Sequence, residues 1–347
     1  MVLLEGTLKT YDWGSKSAIA KLRGVAPSGK PEAELWFEVE GSSPWLVKIL
    51  AIQKPLSIQL HPNAKQAIKG FETEETKGIK LDDPKRSYRD KNSKSELVCA
   101  LTSFKAFCGL RETNEAIETA KVFDLPEELY APLLSNGPRG WKEVIERIFS
   151  GNWGQVIADL EKRCSEKNDG PWHKAAEEIF KISALYRNDE SILLLPFMNY
   201  FELNAGDALH VEPGAPHVYL EGMAVEVMEP GDNVIRAGLT KKHIDKSEFL
   251  SLLDTEAKFP QMQVPKGTDH TYIGPTEKLV VRRIEKTKVE IDSSKGTDLI
   301  LSTTGVATVE HDEETHIQQG EAFLIDVENE SYTVSTSGVL FLIREEA

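Results

Sequence analysis

From Leu3 to about Leu110, apolar positions come in short runs broken by turn residues, which is the texture of β structure. Leu35-Trp36-Phe37-Glu38-Val39, Trp45 to Ile52, Leu56 to Leu60 and Leu97 to Leu101 predict strands, and Ser17 to Leu22 a short helix. The charged stretch Lys65 to Asp90 between them predicts a solvated excursion without chemistry. From Glu112 to about Arg187 the spacing turns helical, as in Ala116 to Phe123 and Trp141 to Phe149. Pro126, Pro138 and Gly151 punctuate that segment, and Asn168-Asp169-Gly170-Pro171 predicts a turn between helices. After Asp189 the β texture returns in Leu193 to Leu195, Tyr200 to Leu203, Ala208 to Val211, Val218 to Leu220 and Ala224 to Met228. Short strands at regular intervals indicate an antiparallel sandwich or barrel. A third β segment runs from Leu279 to the end. Gly206-Asp207 and Gly320-Glu321 each follow one strand and precede another, a weak sign of two related β units.

The run from Lys48 to Asn63 ends in a polar pair, Gln59 and His61. Residues i and i+2 of a strand share a face, so both side chains project together, and Pro62 should end the strand beside them. Such a pair is half of a metal site, although on its own a surface or capping role is the commoner use, since Gln is a rare ligand. Pro213-Gly214-Ala215-Pro216-His217 puts a second histidine after a tight turn and at the head of a strand. Taken alone, that histidine too is more often a plain loop residue.

Composition narrows the partners. The chain has 347 residues, 41 Lys+Arg against 56 Asp+Glu, and a net charge of −15. Such a surface repels phosphate backbones and anionic bilayers, which argues against nucleic-acid and membrane partners while leaving room for a small anionic substrate. Cys99, Cys108 and Cys164 form neither a disulfide framework nor a zinc motif, which fits a reduced cytoplasm. The residues from Met1 to Gly6 lack a signal-peptide pattern, and no apolar run approaches ~20 residues. A soluble cytoplasmic protein is expected.

Five segments, in order, carry a specific resemblance: Tyr11-Asp12-Trp13-Gly14, Pro55 to Asn63, Asp90 to Glu96, Pro216 to Leu220 and Asp232 to Thr240. With them the chain resembles the type I phosphomannose isomerases, zinc-dependent mannose-6-phosphate isomerases built of two jelly-roll barrels with a helical domain between. The resemblance implies a mainly β chain with two cupin-like jelly-roll barrels. One would be catalytic and discontinuous, residues 1–111 and 188–260, with a helical domain at 112–187 and a second barrel at 261–347. It implies Gln59, His61, Glu96 and His217 as ligands of one Zn²⁺, a set of one carboxylate and three neutral groups that leaves a Lewis-acidic ion. Taken without the resemblance, Glu96 is an edge carboxylate in water. His210, His243, His270, His311 and His316 lie outside the matching segments and are expected to be bystanders.

Isomerisation moves a proton between C1 and C2 through a cis-enediol(ate), whose oxygen charge needs a cation and whose proton needs a base. Arg236 suits the first task, and Lys94 and Asp232 are both compatible with the second. The bland alternative for Arg236 is a sheet-surface salt bridge. By resemblance Ser57 and Lys242 would bind the phosphate, though Lys241 stands where the family has proline. Trp13, Tyr219 and Glu226 are further candidates for substrate contact, with a core role the alternative for Trp13. The chain departs from the family wording Asp-x-Asn-His-Lys-Pro-Glu at Ser93 and Ser95, which replace His and Pro. That departure motivates a second reading, a sugar-phosphate-binding protein without activity. A redox-iron oxygenase is disfavoured because Gln59 takes the place of a histidine. A monomer is favoured, with the oligomeric state open.

Overall fold

A computed structural model describes residues 1–38, 45–166, 170–256, 260–292, 297–326 and 331–345. Strands β1 (Val2–Leu4) and β2 (Thr7–Lys9), helix α1 (Ala18–Leu22), β3 (Glu34–Phe37), β4 (Leu46–Ile52) and β5 (Ile58–Leu60) come first. Helix α2 (Ala64–Thr76), β6 (Glu96–Ala100) and β7 (Phe104–Leu110) follow. Helices α3 (Thr113–Val122), α4 (Glu127–Asn136), α5 (Trp141–Ser150), α6 (Gly154–Ser165) and α7 (His173–Leu185) make up the insert. The chain re-enters the β layers with β8 (Met198–Leu203), β9 (Ala208–Val211), β10 (His217–Met228) and β11 (Ile235–Gly238), then α8 (Lys246–Leu252) and β12 (Met262–Gln263). The remaining strands are β13 (Asp269–Tyr272), β14 (Leu279–Glu285), β15 (Lys288–Asp292), β16 (Asp298–Thr304), β17 (Ala307–Glu310), β18 (Glu314–Ile317), β19 (Ala322–Ile325), β20 (Ser331–Thr336) and β21 (Val339–Glu345). Among the described residues no helix is long and apolar enough to cross a membrane.

The chain is mainly β, with several antiparallel sheets. The first has the order β12-β9-β6-β10-β4-β3-β2, and its central strand β10 leaves that order in its first half to pair with β5 and β7. A second sheet, β1-β19-β16-β21-β14-β13, faces a third, β15-β20-β17-β18. Two strands reach across the boundary expected near residue 261: β1 pairs with β19, and β12 pairs with β9.

Strand parity explains the layering. On β4, Val47, Ile49 and Ala51 point outwards and join Leu299, Leu301, Phe341 and Ile343 in a core shared with the C-terminal sheet. Leu50 and Ile52 point the other way, into a core with Val98, Ala100, Phe104, Leu209 and Tyr219. The helical insert covers the outer faces of β5, β7, β10 and β11, where Ile58, Leu60, Phe107, Val218 and Ile235 meet Leu129, Trp141, Ile145 and Ile182. Each of these buried aliphatic side chains contributes about 1.5–3 kcal/mol relative to exposure.

Three local expectations change. The stretch from Lys65 to Asp90 is not merely a solvated excursion: a capping box between Asn63 and Gln66 starts α2, and Glu74 accepts from the amides of Ser87 and Tyr88 while pairing with buried Arg86 at 2.9 Å. Leu193 to Leu195 lie in a 3-10 helix, Glu190–Phe197, capped by the Asp189 carboxylate. A fully buried apolar run has no periodicity to separate strand from helix. Val218 to Leu220 and Ala224 to Met228 are one strand, with a bulge at Tyr219 to Glu221 where a turn was expected. Val39, Asn168 and Asp169 lie outside the described residues.

Candidate metal centre and pocket

The site is assembled by register. In β5, Gln59 faces inwards between Ile58 and Leu60, which are buried under the helices, and the strand ends before Pro62. Gln59 stands opposite His217 of β10 and opposite Arg236 of β11, so three side chains from three strands share one face. The turn before β10 is fixed by Gly214, whose φ of +79° suits glycine and whose N–H donates to the His61 carbonyl at 2.8 Å. Within β10 the bulge, completed by Gly222 at φ +123°, shifts the parity. His217 and Tyr219 before it and Glu226 after it consequently all face the same interior, where a regular strand would have turned Glu226 away.

His61, Glu96 and His217 are buried, and one donor atom from each lies within 4.8 Å of the others. His61 Nε2 is 3.2 Å and His217 Nε2 3.8 Å from the Glu96 carboxylate. Both Nδ1 atoms face backbone carbonyls, that of Asn233 at 2.7 Å and that of Ala215 at 3.1 Å. Each Nδ1 must therefore carry the proton, which leaves both Nε2 lone pairs aimed at a carboxylate. Burial, reinforced by Lys94, pushes His61 down to about 3, and burial also pushes His217 down. Burial opposes ionisation of Glu96, but Lys94 at 2.9 Å holds its carboxyl well below the usual range. Among the described residues His61 Nε2 has no hydrogen-bond partner. Two imidazole nitrogens and a carboxylate converging in a buried site suit a cation. Gln59 completes the ring: its amide nitrogen lies 3.3 Å from His217 Nε2 and its oxygen accepts from Ser57 at 3.1 Å. Turning the amide over would present the oxygen to a cation and the nitrogen to Ser57.

Above the centre opens a cavity of about 480 Å³ whose walls include Trp13, Ser57, Gln59, Lys94, Glu96, Tyr219, Glu226, Asp232, Arg236 and Lys242. Every candidate drawn from the sequence lines it, apart from His61 and His217, which are buried beneath. Tyr219 donates to Glu96 at 3.0 Å, and Trp13 stacks on Tyr11 at 5.7 Å. Lys242 lies over the Tyr11 ring at 4.9 Å. Asp232 is half-exposed at the rim, 3.6 Å from Arg89. Arg236 has no carboxylate among the described residues at ion-pair distance, in contrast to a surface salt bridge. His210, His243, His270, His311 and His316 do not line the cavity.

Several lining residues had been given no role. Lys48 pairs with Glu226 at 3.2 Å, both buried, and lies 4.6 Å over the Trp36 ring, while Trp36 donates to Glu34. Burial works against the Lys48 charge, but Glu226 and Glu34 push its pKa up. Burial first, then the Glu96 charge, push Glu226 up to about 7 against the pull of Lys48. The signal for Lys48 was legible: it is a lone charge inside the apolar run from Trp45 to Ile52, on the inward parity of Leu50. Tyr186, brought from the helical insert by a bond to the Pro55 carbonyl at 3.2 Å, had no such signal.

Residues 37–113 match the model of the phosphomannose isomerase type I catalytic domain. The mannose-6-phosphate isomerase of Salmonella typhimurium is 30% identical over 305 residues, covering 74% of this chain and 76% of that protein. The chain belongs to the type I phosphomannose isomerase family. The Escherichia coli mannose-6-phosphate isomerase is 29% identical across 98% of both chains. Among solved phosphomannose isomerases, the Salmonella typhimurium enzyme bound to substrate (fructose 6-phosphate) and zinc superposes with a TM-score of 0.87, at 26% identity and 99% coverage of each chain. A zinc-bound mannose 6-phosphate isomerase superposes at 0.86.

Proposed function

We propose that the chain is a zinc-dependent isomerase interconverting D-mannose 6-phosphate and D-fructose 6-phosphate through a cis-enediol(ate). The observation that carries this reading is the convergence of the His61 and His217 Nε2 atoms on the Glu96 carboxylate, with His61 Nε2 unpartnered among the described residues, at the floor of a cavity rimmed by cations. Gln59, His61, Glu96 and His217 would hold one Zn²⁺, and when bound the ion polarises sugar oxygens as a Lewis acid.

The remaining work falls to the chain. Lys242 and Ser57 would take the phosphate, with Trp13 and Tyr219 bounding the sugar. Arg236, half-buried and without an ion-pair partner among the described residues, faces the charge that grows on the enediolate oxygen. Of the groups compatible with proton transfer, Lys94 is committed to Glu96 and Asp232 sits at the solvated rim. Glu226, held near 7 beside Lys48, matches the requirement for a base that is free at neutral pH and strong enough to take a proton, so we assign it the shuttle.

We propose further that each β unit is a cupin-like jelly roll, catalytic at 1–111 with 188–260 and C-terminal at 261–347, with residues 112–187 as the helical domain. Matching turns support the pairing of the two units: Gly206 N–H donates to Ala100 as Gly320 N–H donates to Ser302, at 2.8 and 2.7 Å, each glycine with positive φ. A cytoplasmic monomer without nucleic-acid or membrane partners fits the net charge of −15. Purified protein should contain about one zinc per chain and turn over mannose 6-phosphate, losing activity on chelation and regaining it with zinc. Zinc and sugar-phosphate binding without turnover would instead establish the inactive binding protein.

A further inference from the structure

Asn233 is completely buried, and its side chain is spent on one loop. Its Nδ2 donates to the Asp90 carbonyl at 3.1 Å, the Asp90 carboxylate at 3.0 Å and the Asn92 carbonyl at 2.9 Å, a shared arrangement for two protons. Its Oδ1 accepts from the amides of Arg89 at 2.8 Å and Asp90 at 3.2 Å. The loop answers in kind, with Asp90 accepting from the Asp232 amide at 2.8 Å and Asn92 donating to the Pro230 carbonyl at 2.7 Å. That loop leads directly into Lys94 and Glu96. On its other side, the Asn233 backbone carbonyl accepts the Nδ1 proton of His61 at 2.7 Å. One residue thus joins the loop that delivers the carboxylate to the ring that delivers the nitrogen.

We propose that Asn233 is the positioning residue of the metal centre: it fixes the tautomer and aim of His61 and the distance of His61 from Glu96. The inference rests on the zinc reading of the site. The chemistry admits few substitutes, because the side chain must donate and accept at once. Aspartate would lose both donors and set a second negative charge against Asp90, and alanine would leave buried carbonyls and amides unpaired. An asparagine that only stabilised the loop would affect melting and leave metal affinity alone.

The test is zinc affinity by competition with a chromophoric chelator, measured on the full-length chain well below its melting temperature. Asn233→Ala should weaken zinc binding about 10- to 100-fold, the size seen when a group orienting a metal-bound histidine is removed. Asp90→Ala cuts the same stitching from a half-buried position, so it should fold even where Asn233→Ala does not, and should weaken zinc in the same direction by less. Ile300→Val, in the core of the C-terminal sheets, serves as a control of reduced stability and should bind zinc as wild type does. Affinity within about threefold of wild type for both Asn233→Ala and Asp90→Ala, a range too small to matter beside the loss expected, overturns the inference alone. So does an equal loss in Ile300→Val. A wild-type chain that takes up no zinc overturns the zinc reading and this inference with it.

Discussion

Glu226 and Arg236 are the two residues whose roles can be separated by simple substitutions. A carboxyl with a raised pKa in the folded state adds stability below its unfolded value, and that stability is lost as pH rises through the folded value. For Glu226 the window runs from about 4.5 to about 7. Metal-free wild type should therefore lose stability relative to Glu226→Gln across that window, by on the order of 3 kcal/mol, and the difference should level off above it. Denaturant melts at several pH values check this, and parallel curves for the two proteins would show that Glu226 ionises normally. Glu226→Gln should also lower kcat strongly while keeping zinc. Arg236→Lys keeps the charge but not the planar fork, so kcat should fall roughly 10²-fold or more, with KM, zinc content and melting temperature close to wild type. A variant that kept its kcat and melted earlier would make Arg236 a structural residue.

The bulge in β10 is the element on which the proposed machinery turns. A Cβ at Gly222 would meet the Ser103 carbonyl at 2.4 Å, in a backbone conformation that L residues rarely adopt. Gly222→Ala should cost at least 1–3 kcal/mol and, where it folds, should reduce turnover more than zinc content, because His217 lies before the bulge and Glu226 after it. Unchanged stability and activity would mean that the strand tolerates a regular path. Nothing in residues 217–228 announces the bulge: Glu221-Gly222 has the composition of a turn, which is how the sequence reads. Elsewhere local pattern sufficed, as at Gln59 and His61, where alternation and Pro62 together dictate the geometry. Glu96 is the opposite case, since a carboxylate at a strand head is by itself indistinguishable from a solvated one, and only the family wording pointed to it. The role of Asn233 was hidden because its side-chain partners, mostly backbone atoms, lie more than 140 residues away in the chain.

At the scale of the molecule, the two β units are joined by more than a linker. The outward parity of β4, β6 and β10 supplies Val47, Ile49, Ala51, Leu97, Val225 and Val227 to a core whose other half is Leu299, Leu301, Phe341 and Ile343 of the C-terminal sheet. This double-sided burial is why these strands read as continuous apolar runs, and it would leave a wide apolar face bare if the second unit were absent. β1 would lose β19, its strand partner among the described residues, at the same time. A chain ending at residue 260 is therefore expected to aggregate or to remain loosely packed, even though it keeps every proposed zinc ligand and every catalytic candidate. Its zinc affinity and turnover should fall with its folding, and adding residues 261–347 as a separate chain should restore both only in so far as the shared core reforms. Expression of the truncated chain, followed by size-exclusion chromatography and a denaturant melt, decides the matter. A soluble, cooperatively unfolding, zinc-binding 1–260 fragment would show that the catalytic unit folds independently and that the shared core adds stability without being required.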